Sequence, residues 1–375
     1  MTEPVIEVVG IGADGWAGLS ARSQELITAA GVLLGSLRQL DLVPERPDQQ
    51  RFPLPTPMRA GLPDLLASVG DRTVAVLASG DPLVYGIAAT LIDLVGAHRV
   101  RVHPTVSSVS LAAAELGWTS DSFDVVRIAT SLTPLRRVLT PGRRVLVLSA
   151  DEGTPAQSRH DAAAEQVTAG PPATARLNIV ALTVAGPGGW PTVGGLPDEA
   201  FEHDGQLTKR DVRASALARL APAPGQLLWD VGAGAGSVAI EWSRTDPRCR
   251  AVAIERDDAR AARIARNAET LGATGVRVIT GRAPAALAGL PTPDAVFVGG
   301  GAGSAGLLDT CWQAIGPGGR LVVHAVTLET EGVLVDRHAR QGGELIRLSV
   351  ERVEPLGGFR GWVAARPVVQ WSVTR

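Results

Sequence analysis

The run Leu227-Leu228-Trp229-Asp230-Val231-Gly232-Ala233-Gly234-Ala235-Gly236-Ser237 sets an apolar segment before an acid, then glycines at alternate positions. A strand entering such a loop brings bare backbone up to a ligand, and a following helix offers unpaired N–H groups to a carboxylate or phosphate. The dinucleotide pattern Gly-x-Gly-x-x-Gly does not fit, because Ser237 occupies the place of its third glycine. A second acid, Glu255, closes the next apolar run, where one carboxylate can accept two hydroxyl groups at once. Lys209 is the only lysine among cations that are otherwise arginine, so this position keeps a compact ammonium against the trend of the chain.

The elements that must position these residues alternate between β-branched runs and helical Ala/Leu patterns. In the first half the pattern predicts strands at Val5–Val9, Thr73–Leu77, Val100–His103, Val125–Ile128, Arg144–Leu148 and Leu177–Leu182. Helices are expected near Ala21–Ala30, Gly61–Ser68, Ile87–Val95, Ser107–Leu116 and Ala156–Thr168. In the second half, strands at Leu227–Asp230, Ala251–Ile254, Val276–Thr280, Ala295–Val298 and Arg320–Val326 are each followed by a helix pattern. Two late strands, Leu345–Val353 and Gly361–Val369, have no helix between them, so five βα units closed by a hairpin are expected. Both halves are therefore α/β. The Gly/Pro stretch from Gly186 to Pro197 predicts a connector, with domains at 1–200 and 201–375.

Composition narrows the function classes. Hydrophobic content of 45% allows large cores, and a formal net charge of −2 gives no global attraction to nucleic acid or anionic membrane. Cys249 and Cys311 are the only cysteines, and no Cys/His cluster has metal-ligand spacing, so neither a disulfide framework nor a structural metal is expected. No apolar segment reads as a signal peptide or a membrane span, which places the chain in the cytoplasm by expectation.

The alternate glycines fit Asp-x-Gly-x-Gly-x-Gly, the loop of class I methyltransferases that use S-adenosyl-L-methionine. Together with Gly205–Arg213, Gly281–Leu287, Val298–Gly303 and Thr327-Leu328-Glu329-Thr330, it resembles the decarboxylating precorrin methyltransferase domain of cobalamin synthesis. The resemblance runs from about Asp204 to the C-terminus. It implies a class I Rossmann-like fold and cofactor contacts at Thr208, Gly232, Ala233, Gly234, Ala235, Gly236, Glu255 and Ala283. Glu255 then takes the ribose, Ala283 flanks adenine, and Gly299–Gly303 faces the methyl group. Where the family commonly has Gly-Asp-Ala-Pro this chain has Gly281-Arg282-Ala283-Pro284, so no adenine contact is assigned to Arg282. The Asn-Pro-Pro-Tyr loop that gathers exocyclic amines is absent, which favours a carbon or oxygen acceptor.

The first half resembles the tetrapyrrole methylase family, whose two α/β subdomains are unrelated to the class I sheet. The motifs are Val8–Gly15, Ala78-Ser79-Gly80-Asp81-Pro82-Leu83-Val84-Tyr85-Gly86, and His103–Ser110. Ala13 stands where that family usually has proline. The resemblance implies a cofactor cleft at Gly10, Gly80, Asp81, Val84, Tyr85, Ser107 and Ser108, although Ser107 can equally cap a helix.

In series, the halves resemble fused, bifunctional precorrin methyltransferases. The implied substrate is a reduced, metal-free tetrapyrrole rich in acetate and propionate groups, methylated at carbons 5 and 15 and decarboxylated. S-adenosyl-L-methionine is implied at two sites per chain, with no metal and a homo-oligomer, dimer or tetramer. Lys209 and Glu329 are the residues assigned near the chemistry, and Lys209, Arg210, Arg213 and Arg360 are the candidates for substrate carboxylates. Two other readings stay open: an RNA methyltransferase, which lacks a basic stripe here, and a first half that serves only as a scaffold.

Overall fold

The computed structural model describes residues 5–149, 178–185 and 189–375. The helix expected at Ala156–Thr168 and the Gly186-Pro187-Gly188 part of the connector lie outside the described residues. The chain divides into two compact units. The first runs to Arg127 and takes up two later strands; the second holds Ile128–Arg143 and the described residues of Thr183–Arg375.

In the first unit, β1 (Ile6–Ile11), α1 (Ala21–Ala29), β2 (Val32–Gly35), α2 (Leu37–Asp41), β3 (Gln50–Pro53), α3 (Met58–Val69), β4 (Val74–Ser79), α4 (Ile87–Val95) and β5 (Val100–His103) follow in order. The five strands form one parallel sheet in the order β3-β2-β4-β1-β5. The central strands β1, β2 and β4 are buried nearly throughout, as a parallel sheet covered on both faces requires. β2, β3 and α2 were not expected. β3 is an edge strand of Gln50-Arg51-Phe52-Pro53, with no apolar run and a proline that only an edge tolerates. After α5 (Ser108–Leu116), β6 (Asp124–Arg127), β7 (Arg144–Leu148) and β8 (Ile179–Thr183) make a second, three-stranded sheet. The two sheets are the two α/β subdomains of this unit.

The second unit contains α6 (Thr133–Arg136), α7 (Arg210–Leu220), β9 (Leu227–Val231), α8 (Ser237–Thr245), β10 (Arg250–Glu255), α9 (Asp258–Thr270), β11 (Val276–Thr280), β12 (Ala295–Val298), α10 (Leu307–Ala314), β13 (Arg320–Ala325) and α11 (Leu328–Gln341). Four strands end the chain: β14 (Glu344–Leu348), β15 (Glu351–Leu356), β16 (Phe359–Ala364) and β17 (Val368–Thr374). The sheet order is β11-β10-β9-β12-β13-β17-β14, with only β17 antiparallel to its neighbours. This is a class I Rossmann-like sheet. The expected pair of late strands is corrected to four: β14 and β17 complete the main sheet, while β15 and β16 form a separate hairpin between them. Exposed charged residues such as Glu351, Arg352 and Glu354 break the alternation that would have divided the segment.

Apolar residues pack on both faces of this sheet. Leu227, Trp229, Val231, Val296, Val298, Val323 and Trp371 lie on one, and Leu228, Phe297, Val322, Leu217 and Trp242 on the other. Fully burying such side chains contributes about 1.5–3 kcal/mol each. The described part of the Gly/Pro stretch, from Gly189 on, is packed into this unit. Glu241 accepts the N–H groups of Gly195 and Leu196, and Arg244 donates to the carbonyls of Trp190 and Pro191. Cys249 and Cys311 are both free and buried.

Candidate functional site

A cavity of about 670 Å³ opens at the C-terminal ends of β9, β10, β12 and β13. Open α/β sheets bind ligands at this edge, where strand order reverses between the first and fourth strands. Past β9 the chain turns through Gly232 at φ +71° and Gly234 at φ +58°. A β-carbon on Gly232 would stand 2.9 Å from the Gly300 carbonyl oxygen, and one on Gly234 would stand 2.7 Å from that of Gln206. The loop therefore tolerates no side chains there, and its backbone forms the cavity wall.

Two buried acids brace that loop. Asp230 is 1% exposed; its Oδ2 accepts the Ala239 N–H at 2.9 Å, while Oδ1 has no partner. Burial pushes its pKa up to about 7, against the Ala239 hydrogen bond and helped by the nearby Glu255 charge. Glu255 ends β10; its Oε2 accepts the Gly234 N–H at 2.9 Å and its Oε1 the Asp257 N–H at 3.1 Å. Each oxygen keeps a lone pair for a further donor, so the pair of ribose hydroxyls fits this acid. The bare glycine wall and the spare Glu255 lone pairs suit S-adenosyl-L-methionine.

The segment Gly205–Lys209, whose Gln206 carbonyl lies against Gly234, continues the wall. Asp204 anchors its start, accepting the Gln206 N–H at 3.1 Å and pairing with Arg260 at 2.9 Å and Arg263 at 3.1 Å. The Arg260 hydrogen bond chiefly holds this carboxyl well below the usual range. From behind, Arg213 holds the segment's end. It is wholly buried, bonds Glu241 at 2.6 Å and Asp198 at 3.3 Å, and donates to the carbonyls of Thr208 and Leu196. Arg213 is therefore no substrate contact, contrary to expectation. Its guanidinium also lies 4.8 Å over the Phe201 ring.

The remaining expected residues sort clearly. Thr208, Lys209, Gly232, Ala233, Gly234, Glu255 and Ala283 line this one cavity. Lys209 is half exposed, with Nζ 3.5 Å from Asp198. Ala235 and Gly236 do not line it. The Ala235 carbonyl accepts from Asn267 at 3.0 Å, and a β-carbon on Gly236 would meet Ile264 at 2.6 Å, so their smallness serves the packing of α8 on α9. Glu329 lies outside the wall too, exposed in the first turn of α11. Its own N–H and the Thr327 hydroxyl lower its pKa, the setting of a helix-capping acid. Arg210 and Arg360 are exposed and stand apart from the lining.

The structure adds residues that pattern reading missed. Beside the expected Lys209, five arginines line the cavity, Arg256, Arg260, Arg282, Arg352 and Arg366, making six cations against two acids, Asp211 and the expected Glu255. Arg352 and Arg366 come from the hairpin region, whose insertion no sequence signal marked. His324 of β13 also lines it, buried and bonded to Gln370 at 2.9 Å. Burial keeps its pKa down to about 4. Among the described residues no group of three or more His, Cys, Asp or Glu side chains is arranged to hold a metal, and no helix is long and apolar enough to cross a membrane.

In the first unit, Gly10, Gly80 and Ser107 bring the loops after β1, β4 and β5 together. A β-carbon on Gly10 would stand 2.0 Å from the Gly80 carbonyl oxygen and 2.8 Å from Thr105 N. Asp81 accepts the Leu83 N–H at 2.8 Å and Val84 packs beside Val109 and Leu146. Tyr85, at φ +53°, donates its hydroxyl to the Val125 carbonyl at 3.0 Å, tying this loop to β6 of the second sheet. Ser107 is buried and caps α5 by accepting the Ser110 N–H at 3.0 Å; Ser108 is the first residue of that helix.

Family models match both parts of the chain: tetrapyrrole (corrin/porphyrin) methylases over residues 5–182, and the precorrin methyltransferase domain over residues 199–375. A precorrin-6Y C(5,15)-methyltransferase (decarboxylating) from Sinorhizobium is 41% identical, covering 100% of this chain and 97% of the relative. One from Mycobacterium tuberculosis is also 41% identical, over 99% of this chain and 100% of the relative. A crystal structure of the C-terminal domain of precorrin-6Y C5,15-methyltransferase from Rhodobacter capsulatus is 50% identical. It covers 50% of this chain and 100% of its own, with a TM-score of 0.47. The chain belongs to the precorrin-6Y C(5,15)-methyltransferase (decarboxylating) family.

Proposed function

We propose that this protein methylates precorrin-6Y at carbons 5 and 15 and decarboxylates the ring C acetate, releasing its carboxyl group as carbon dioxide and leaving a methyl group, to give precorrin-8X in cobalamin biosynthesis. Residues 201–375 methylate carbon 15 and decarboxylate; residues 1–200 methylate carbon 5. The observation that carries this reading is the cavity beyond β9, where a glycine wall and Glu255 adjoin six cations in a chain of net charge −2. A polycarboxylate acceptor suits that local potential, since only the field in the cleft acts on it.

S-adenosyl-L-methionine, bound once in each half, supplies an electrophilic methyl group. Glu255 holds its ribose, the Gly232–Gly234 backbone approaches its amino-acid end, and Ala283 leaves room beside adenine. Exposed Lys209, Arg282, Arg352 and Arg366 take acetate and propionate groups and set the macrocycle against the methyl group. The meso carbon is itself an enamine-like nucleophile, so positioning and water exclusion do the work, with up to about 7–11 kcal/mol available from orientation. Decarboxylation needs the departing acetate desolvated while the arginines hold the others; the conjugated ring takes the electron pair. No metal takes part.

We place the protein in the cytoplasm as a homo-oligomer, dimer or tetramer, acting on a small molecule without nucleic acid. Exposed Leu356, Phe359 and Trp362 on the β15–β16 hairpin support association of copies. Incubation with precorrin-6Y and labelled S-adenosyl-L-methionine, followed by mass analysis of the product, tests the reaction.

A further inference from the structure

His324 sits where an apolar side chain would be expected. On β13 its neighbour Val322 faces the packed side of the sheet with Phe297 of β12, and the Phe297 ring meets the His324 ring edge-on at 4.8 Å. On the other flank, Gln370 of β17 is its direct cross-strand partner and its hydrogen-bond partner at 2.9 Å. His324 is 6% exposed and Gln370 is wholly buried, with the Gln370 Nε2 left unpartnered. Burying polar groups that are incompletely paired costs stability, and packing alone gives no return for it.

The pair does fix the imidazole. Gln370 presents Oε1, which only accepts, so Nε2 carries the ring proton and Nδ1 carries the lone pair. Nδ1 has no partner among the described residues. The ring lines the cavity with Val326, and its strand β13 is separated by β12 from β9 and the glycine loop that follows it. A neutral imidazole with one nitrogen satisfied presents one directed acceptor, set apart by its strand from the carboxylates of Asp211 and Glu255 that share the wall with the cations.

We propose that His324 Nδ1 accepts a hydrogen bond from a ring N–H of the tetrapyrrole and so selects which meso carbon faces the methyl donor, with Gln370 as the positioning residue that fixes its tautomer. This deepens the proposed function and rests on that reading of the cavity. Cations hold the peripheral carboxylates but cannot tell one pyrrole-type nitrogen from the next; an acceptor near the reacting carbon can. The low pKa of the buried ring keeps that lone pair available at neutral pH.

The test compares two substitutions in the full-length protein. His324→Asn keeps a polar atom near the place of Nδ1, whereas His324→Gln keeps one near Nε2 that still reaches Gln370. Carbon-15 methylation of precorrin-6Y is measured as kcat and KM, with calorimetric affinity for S-adenosylhomocysteine as the check on fold. Expected is near wild-type cofactor affinity in both, with His324→Gln losing about 10- to 100-fold in kcat/KM and His324→Asn losing far less. Equal losses, or a better Gln than Asn variant, would show that the ring serves only its pairing with Gln370 and overturn the proposal. A wild-type protein that leaves precorrin-6Y unmethylated would remove the underlying reading as well.

Discussion

The carboxylate of Glu255 accepts the Gly234 N–H at 2.9 Å, so the acid closing β10 and the glycine loop after β9 act as one piece. Two features read separately from the sequence are thus mechanically joined. Glu255 shapes the loop with which it lines the cavity. Glu255→Ala is expected to remove a charge-assisted contact of about 1.5–3 kcal/mol, or roughly 10- to 100-fold in S-adenosylhomocysteine affinity at the second-half site. Calorimetry on the full chain reads this directly, and carbon-5 methylation should persist.

Asp230 makes stability depend on pH in an unusual direction. Its carboxyl titrates at about 7 in the folded chain against an ordinary 3.8, so between these values the folded state binds the extra proton. The stability it contributes is fully present below pH 3.8 and is lost as pH rises to about 7. Moving the acid that far corresponds to about 4 kcal/mol. Asp230→Asn still accepts the Ala239 N–H but cannot ionise, so urea unfolding should show the variant gaining on wild type from pH 4 to pH 8. Parallel stability curves would show that Asp230 titrates normally.

Gly234 and Gly236 look alike in the motif but serve different ends. Gly234→Ala pushes a β-carbon into the Gln206 carbonyl and the cavity wall, so cofactor affinity should fall steeply. Both glycines sit at left-handed φ, so either substitution costs stability, but Gly236→Ala meets Ile264 rather than the cavity wall, and affinity in the still-folded fraction should hold. Paired melting and calorimetry separate the two.

Arg213 has no route to solvent and neutralises Glu241 at 2.6 Å. Arg213→Met leaves Glu241 buried with its charge uncompensated, a loss of about 3–5 kcal/mol. Chemical denaturation of the full chain should show it in the second unit's transition. Arg210→Met, on the exposed side of the same helix, should change little.

Much of the architecture was legible because parallel strands buried on both faces read as apolar runs, as in Leu227–Val231 and Ala295–Val298. What escaped had a physical reason each time. β3 is an edge strand of polar residues. The β15–β16 hairpin is exposed on both sides and so carries no period. Arg213 was expected at substrate carboxylates, because an ion-paired buried arginine leaves no mark in composition. His324 and Gln370 are single polar residues within apolar runs, and only the pairing of β13 with β17 shows that they meet each other. Glycine spacing announced the loop without telling which glycines meet a ligand and which meet Ile264.

The most direct test of the central claim, two methyl-donor sites serving one tetrapyrrole, is the mass of the product that the purified full-length protein makes from precorrin-6Y and labelled S-adenosyl-L-methionine. The account predicts two labelled methyl groups gained and one carbon dioxide lost per tetrapyrrole. A product carrying a single methyl group under saturating cofactor, or none, contradicts it.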